Sequence, residues 1–538
     1  MIEKLQKKSI FLIIGMFLLL SIVLIGLLSY SSPIYEFNYS GDNNNYMTVG
    51  KAMMHGFVPY KDVFEQKGPF VYLLYGLASL ISFHTFLGSA IFEIAILFAI
   101  LWLTFKIGKL FSSTKVAFVI ALFAPVFVLI EPYYSYGATV EFFLYPAMLS
   151  LIYISLKAQQ HQFIISKWTW YFQGCLVGIV FFSKYTLLGS WIAFYIFMFM
   201  YYTIKHRWND VRNLIWSSGL GFLTTTVPWL IYFEMVHGLK QFFNVYFYTN
   251  IFRYGSVNGT WFERLSMSLW TFVQLLLFSN PVITFVIVLG LLFVFFSRKI
   301  LAGWIIKSLL MIMMFTNALL ALCGGTFGPY YLLAYFPYIL VLFVLLIIAL
   351  SHKLKLSAFK KWQSVFIFSW VFALCMTLSV NSNLQFSRFI PNNPAITSNL
   401  GVKHPTSSAQ IEFGRIMCHE SKGRPTLLAF GFLENGFYTT SGAYPTIHYF
   451  ERNNISYHKL PTMMNTAANA IKHRKVQWVV ICVKTTSNSN LQHQIETTYK
   501  KNAYGRGLKA LNQNYEMRAH HSQISQGNDM EYVLYKLK

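Results

Sequence analysis

The sequence predicts an α-helical polytopic membrane protein with about 11 transmembrane helices, one interfacial helix and a C-terminal extracytoplasmic α/β domain. Three observations carry that expectation. First, 55% of the 538 residues are hydrophobic, only 12% are charged and the mean hydropathy is +0.48; an average soluble chain has about a quarter charged residues. Second, the apolar residues fall into runs long enough to span hydrocarbon. Third, the runs shrink to strand length after residue 380. The net charge of +24 does not point to nucleic acid, because the Lys and Arg residues sit in short clusters between the apolar runs, which is a topology signal. No nucleic-acid partner is expected. Five cysteines, three of them (Cys175, Cys323, Cys375) inside apolar runs, exclude a disulfide scaffold and show no zinc-ligand spacing. Cys418 and Cys482 are able to pair if their region is extracytoplasmic; two inert thiols are the simpler reading.

A spanning helix needs about 20 mostly apolar residues. The first is Ile10–Leu28, preceded by Lys4, Lys7 and Lys8 and followed by no cleavage motif, so it reads as an uncleaved span with a cytoplasmic N-terminus. The others are 90–105, 116–130, 142–156, 168–182, 185–204, 214–233, 269–296, 300–322, 331–350 and 362–380. The segment 69–83 decides the topology. At about 1.5 Å per residue it reaches only about 22 Å. If it crossed, the basic clusters at 106–115, 205–212, 298–299 and 353–361 would all lie outside; if it lies in the interface, all lie inside. The positive-inside rule therefore makes it a re-entrant or juxtamembrane helix.

The outer face then receives the loop 29–68, the turn 131–141, the loop 234–264, the turn 324–330 and everything beyond residue 380. The chain divides into a transmembrane domain, 1–380, and an α/β domain, 381–538, whose strands are expected at 426–430, 476–483 and 532–537 and whose helices are expected at 409–420 and 462–475. Residues 381–406 read as a Pro/Asn/Ser-rich linker.

Eleven acidic residues precede position 381, and eight of them fall at the outer face in this topology. Insertion places little pressure on Asp and Glu, so solubility of the outer loops explains this less well than function does. Four lie in the first loop: Glu36, then Asp42 in Tyr39-Ser-Gly-Asp42-Asn-Asn-Asn-Tyr46, and Asp62 and Glu65 in Gly56-Phe-Val-Pro-Tyr60-Lys-Asp62-Val-Phe-Glu65-Gln-Lys67-Gly-Pro69. A carboxylate beside Gly, between aromatic residues at a membrane surface, is partly desolvated and suits a general base. Lys67, at the mouth of the interfacial helix, suits a lipid phosphate. Acid and cation at one surface fit a substrate with both a lipid phosphate and a reacting sugar.

These motifs, with the first span, resemble the GT-C membrane glycosyltransferases, in particular the protein O-mannosyltransferases and the lipid A aminoarabinose transferase. The resemblance implies that a sugar passes from a polyprenyl-phosphate donor to an envelope acceptor (glycan, lipid or protein) on the outer face of the membrane, with inversion. It makes Asp42 the catalytic acid residue of the first outer loop, and Lys67-Gly-Pro69 the counterpart of a Lys-Pro-Pro phosphate contact with Gly68 in place of the first Pro. Glu65 lies one position from the place where an acid often precedes that Lys, and Asp62 ends the Gly-x-x-Pro-Tyr-x-Asp run. Tyr136-Gly-Ala-Thr-Val-Glu141 resembles the family's acid at the outer end of a later span, which makes Glu141 the second carboxylate; a favourable helix-N-terminal acid is the plain alternative. Tyr330 and Tyr331, in Gly324-Gly-Thr-Phe-Gly-Pro329-Tyr-Tyr331, resemble residues lining a sugar cavity, although interfacial tyrosines are common. The fragment Gly431-Phe-Leu-Glu434-Asn-Gly-Phe-Tyr438 resembles the outer domain of bacterial members.

Arg253 and Tyr254, in an outer loop, are further phosphate candidates, and Lys184 breaks the positive-inside pattern, inviting either function or snorkelling. Fourteen His show no metal-ligand spacing, and His55 is a solvated loop residue or, less simply, a metal ligand. No metal site is expected; a divalent cation is compatible with the mechanism without being required. The rival function is a transporter or flippase of lipid-linked sugars, for which the sequence shows no pair of repeated halves.

Overall fold

The structure, a computed structural model, describes residues 2–254, 260–278, 280–298, 300–301, 303–322, 328–353, 359–390, 407–485, 490–525 and 528–538. In chain order the helices are α1 (Ile2–Leu28), α2 (Gly41–Met53), α3 (Pro69–Ile81), α4 (Leu87–Phe111), α5 (Thr114–Ala121), α6 (Ala124–Val128), α7 (Val140–Gln160), α8 (Lys167–Lys184), α9 (Gly189–Ile204) and α10 (Trp208–Met235). A short α11 (Leu239–Phe242) continues into the wider π-helical turns Phe243–Arg253, followed by α12 (Trp261–Phe278), α13 (Pro281–Phe296), α14 (Trp304–Leu322), α15 (Phe336–Lys353) and α16 (Phe359–Val380). The tail holds α17 (Ala409–Glu420), β1 (Thr426–Phe430), α18 (Phe437–Ser441), β2 (Tyr444–Pro445), α19 (Pro461–Lys472), β3 (Trp478–Lys484), α20 (Leu491–Tyr499), α21 (Asn502–Asn514), β4 (Tyr515–Ser525) and β5 (Asn528–Leu537). Contacts divide the chain into two compact units: Met1–Leu28, Phe92–Trp229 and Val257–Asn381 form one, and Ser29–Ile91, Leu230–Ser256 and Ser382–Lys538 form the other. Residues 29–91 therefore cluster with the tail, across the sequence boundary at 380.

Within the first unit, bonds between connections show which helix ends meet. At the end of α7, Gln160 Nε2 donates to the Leu110 carbonyl (2.8 Å) and Gln159 Nε2 to that of Ile300 (3.1 Å). There too the Arg207 guanidinium donates to the Gln162 carbonyl (2.8 Å), and the His352 ring bonds the Phe111 carbonyl (3.0 Å). The basic clusters around Lys109, Arg207, Arg298 and Lys353 thus share one end of the unit. At the start of α7, the other end, Lys184 pairs with Glu141, and Tyr134 donates to Glu93 (2.9 Å). Among the described residues six helices are long and apolar enough to cross a membrane, or up to eight if each bent pair is one span. The chain is a multi-pass membrane protein. The run 269–296, expected as one span, is two helices meeting at 98°. The cause is legible in hindsight: the Asn280 side chain accepts the N–H groups of Val282 (3.1 Å) and Ile283 (3.3 Å), and Pro281 takes the first helical position.

The second unit contains a five-stranded mixed sheet in the order β2-β1-β3-β5-β4, with β1 parallel to β2 and β3 and with β5 antiparallel to β3 and β4. β3 is buried along almost its whole length, as a central strand should be. Phe430, Val479, Ile481, Val533 and Tyr535 form the core with Ile471, Ile495 and Leu511 from the helices. Cys418 and Cys482 are both free thiols. The expected interfacial helix is α3, 13 residues long and, at about 20 Å, shorter than a span. It lies against α2 at two glycines: a Cβ on Gly50 would sit 2.5 Å from the Tyr72 carbonyl oxygen and one on Gly76 2.8 Å from that of Gly50. The segment 29–68, read from sequence as a loop, therefore contains a buried helix.

Candidate functional site

The site in the second unit is built on the first turn of α2. Ser40 caps the helix, its Oγ accepting the Asn43 N–H (3.2 Å). Asn38 Oδ1 takes the Ser40 N–H (2.9 Å), and Asn44 Nδ2 donates to the carbonyls of Asn38 (2.7 Å) and Ser40 (2.7 Å). The turn that leads to Asp42 is thus fixed by its own asparagines. Asp42 sits half-buried in the first helical turn, where the helix dipole favours a carboxylate. One turn on, the Tyr46 hydroxyl donates to Asp42 Oδ2 (3.1 Å).

Lys67 reaches the same tyrosine, its Nζ lying 5.4 Å from the Tyr46 ring centroid. Its backbone is held on both sides. Glu65 Oε2 accepts the Lys67 N–H (2.8 Å), and the Tyr60 hydroxyl donates to the Lys67 carbonyl (2.5 Å). Glu65 is itself buried and also takes the hydroxyl of Tyr72. Gln66 is bound from two directions: its Nε2 donates to Asn453 Oδ1 (2.9 Å), and its carbonyl accepts Asn250 Nδ2 (2.7 Å). Tyr60 is fully buried at φ 68, a left-handed conformation that a bulky residue keeps only where its surroundings enforce it. Asp42 and Lys67 are therefore an acid and a cation presented on one tyrosine, each from a rigid backbone.

The remaining sequence candidates in this unit have more local partners. Asp62 Oδ2 closes its own turn by accepting the Val58 N–H (2.7 Å). Arg253 stacks on Tyr248 (5.3 Å), three residues beyond the Asn250 that holds Gln66; the Tyr254 N–H bonds the Thr249 carbonyl (2.8 Å). His55 lies at the far end of α2 from Asp42, its Nδ1 bonded to the Lys51 carbonyl (2.8 Å). Among the described residues no three His, Cys, Asp or Glu gather as metal ligands.

The first unit holds the other candidates. Thr139 caps α7, accepting the Phe142 N–H (3.3 Å), and places the buried Glu141 in the first turn. Lys184 pairs with Glu141 and lies 3.6 Å from the Tyr331 ring centroid, joining two sequence candidates through a third residue. Tyr330 packs edge-on against Tyr331 (4.7 Å), while Gly324 to Phe327 of the same motif lie outside the described residues. Glu93, given no chemistry from sequence, holds the turn before α7 by accepting the Tyr134 hydroxyl and the Ala138 N–H (3.0 Å).

Sequence reasoning missed a buried titratable cluster behind α2. Lys51 is fully buried and donates to the carbonyls of Phe83 (3.2 Å) and Tyr438 (3.4 Å); burial brings its pKa down to about 7. Glu434 is fully buried too and accepts the N–H groups of Gly436 (2.7 Å) and Tyr438 (3.0 Å), yet desolvation pushes it up to about 7. Glu451, which accepts the Glu434 N–H (2.8 Å), is raised well above the carboxylate range by the same cause. Glu434 lay in a motif noted from sequence, but nothing local in the sequence signals that Lys51 packs near it.

Fold and composition together define a multi-pass membrane protein that carries a buried helix, α2, and an α/β tail. No family model and no curated protein sequence matches the chain. Its fold is that of ArnT, the lipid A aminoarabinose transferase: the crystal structures of ArnT from Cupriavidus metallidurans in the apo state and bound to undecaprenyl phosphate superpose with TM-scores of 0.61 and 0.58, each over 98% of both chains. Sequence identity is 11% in both cases. The likeness to this family expected from the first loop therefore holds at the level of fold.

Proposed function

We propose that the protein is a membrane glycosyltransferase that takes a sugar from a polyprenyl-phosphate donor and passes it, with inversion, to a hydroxyl-bearing envelope acceptor at the outer face of the membrane. The observation that carries this reading is the pairing of Asp42 and Lys67 on Tyr46. The fold shared with ArnT, one of whose structures holds undecaprenyl phosphate, supports the donor class.

In this mechanism the Asp42 carboxylate takes the proton of the acceptor hydroxyl while that oxygen bonds to the anomeric carbon. The bond from that carbon to the phosphate oxygen breaks, and the lipid phosphate leaves with its electron pair. Attack opposite the leaving group inverts the centre. Lys67, with Arg253 as a second cation, stabilises the charge growing on the phosphate. Tyr46 steers Asp42 by its hydrogen bond, and Glu65 and Tyr60 keep Lys67 in place.

The test is purified protein in detergent, supplied with membrane-extracted lipid-linked sugars and envelope acceptors, with products read by mass spectrometry and the anomeric configuration by NMR. Formation of an inverted glycoside supports the reading. Absence of any product, alongside movement of the lipid-linked sugar between leaflets in vesicles, would establish the transporter instead.

A further inference from the structure

A cavity lies in the first unit at the end that carries the basic clusters. It encloses about 450 Å³ between the last turn of α7 and the first turn of α8, and its lining includes Tyr153, Lys157, His161, Ile164, Thr169 and Phe172. That volume is in the range of small-molecule sites.

The connection that shapes it is held firmly. Gln162 and Phe163 stand side by side at φ 52 and 57, left-handed conformations that cost free energy in non-glycine residues. Arg207 holds the pair through the carbonyls of Gln162 (2.8 Å) and Phe163 (3.4 Å). The Tyr202 hydroxyl donates to the Phe163 carbonyl (2.8 Å), and the Phe163 N–H returns to Ala158 (2.7 Å). A connection held in this way does not depend on a ligand to order it.

Its chemistry is one-sided. The lining carries Lys157 and His161 and no carboxylate, and the hydroxyls of Ser166 and Thr169, 2.9 Å apart, face the same space. Asp210, on α10, is already paired with Arg207 (2.7 Å). The walls are apolar and open: Ile164 is 62% and Phe172 61% exposed, so the polar end of the cavity continues into a greasy surface. A free inorganic anion would leave that surface unused, whereas an amphiphile with a phosphate head and acyl chains matches both parts. Basic pockets between helix ends suit anionic headgroups.

We propose that this cavity binds the headgroup of an anionic membrane phospholipid, with Lys157 and His161 on the phosphate and Ile164 and Phe172 against the first methylenes of its chains. The proposal is independent of the glycosyltransferase reading, since no residue of that mechanism lines the cavity.

The test is native mass spectrometry of the full chain released from detergent, titrated with phosphatidylglycerol, phosphatidylcholine or inorganic phosphate. Phosphatidylglycerol is expected to bind more tightly than phosphatidylcholine. Lys157→Ala should weaken it about fivefold, and Lys157→Glu further. Ile164→Ser should weaken it as well, although it removes no charge. Thermal melting of each variant alone shows that its fold is intact, which these exposed positions allow. Equal binding of phosphatidylcholine, or unchanged phosphatidylglycerol binding in Lys157→Glu, overturns the proposal. Inorganic phosphate that binds as tightly as the lipid, with Ile164→Ser silent, overturns the lipid assignment in favour of a simple anion site.

Discussion

In the proposed mechanism the chemistry turns on Asp42 and Lys67, and each is tested by a different measurement. Asp42→Asn keeps the shape and the Tyr46 hydrogen bond but removes the base, so turnover should fall by roughly 10²–10⁴-fold while binding of undecaprenyl phosphate, followed by tryptophan fluorescence, stays near wild type. A mutant with near-normal turnover would remove Asp42 from the mechanism. Lys67→Ala should do the reverse, weakening undecaprenyl-phosphate binding about tenfold through loss of a charge-assisted contact. Both residues were legible in the sequence because a lone acid beside Gly and a Lys before Gly-Pro stand out locally. Tyr46, Tyr60 and Tyr72, which aim them, were not, since tyrosines are abundant in this chain and only the fold brings these hydroxyls to Asp42, Lys67 and Glu65. Lys184 was visible as a charge in the wrong place; that it pairs with Glu141 depends on α8 returning beside α7.

At the scale of the element, α2 is the least expected feature. Its cap was readable in Ser40-Gly-Asp42, but three successive asparagines and the absence of an apolar stripe hid the helix. It is stable because α3 and the tail cover it, and it carries Lys51 into a setting shared with Glu434. The pH response follows from the two shifts. Glu434, raised to about 7 from 4.5, gives stability that is present below pH 4.5 and lost as pH rises through about 7. Lys51, lowered to about 7 from 10.5, gives stability that is present above pH 10.5 and lost as pH falls through about 7. Together they put the minimum contribution of this cluster near pH 7. Relative to wild type, Glu434→Gln should flatten the melting temperature between pH 4.5 and 7, an effect on the order of 3 kcal/mol from the size of the shift. An unchanged slope would show that Glu434 titrates normally. The close approach of α2 and α3 predicts a second effect. Gly50→Ala drives a methyl into the Tyr72 carbonyl and should lower the melting temperature with loss of activity, whereas Gly56→Ala, with open space around it at φ 92, should cost only its backbone strain.

For the whole molecule, the named strands among the described residues all lie beyond residue 380, while residues 29–91 cluster with the tail. Composition reports where hydrocarbon ends, while the partnership of residues 29–91 with the tail is made of single long-range contacts. The Phe64 N–H bonds the His448 carbonyl (2.8 Å), Lys51 bonds that of Tyr438, and the backbone of Gly41 lies so near Leu433 that a Cβ there would come within 2.7 Å of it. One consequence concerns topology. Segments 29–91 and 382–538 share a unit; if both lie on one side of the membrane, the number of crossings between them is even. The ten apolar runs from 90–105 to 362–380 satisfy this if each crosses once, and a crossing by α3 would make the number odd. The other consequence is a prediction. A chain ending at Val380 strips α2 of its cover, so it should not behave as a catalytic domain lacking an accessory. Limited proteolysis should cut it within residues 29–91 at sites protected in the full protein, and turnover should be absent. Supplying residues 381–538 as a separate co-expressed chain should restore part of both, because the contacts are between surfaces that need no covalent link. Full protection and activity in the truncated chain would show instead that the first outer segment folds without the tail and that the Asp42 helix is stabilised by α3 alone.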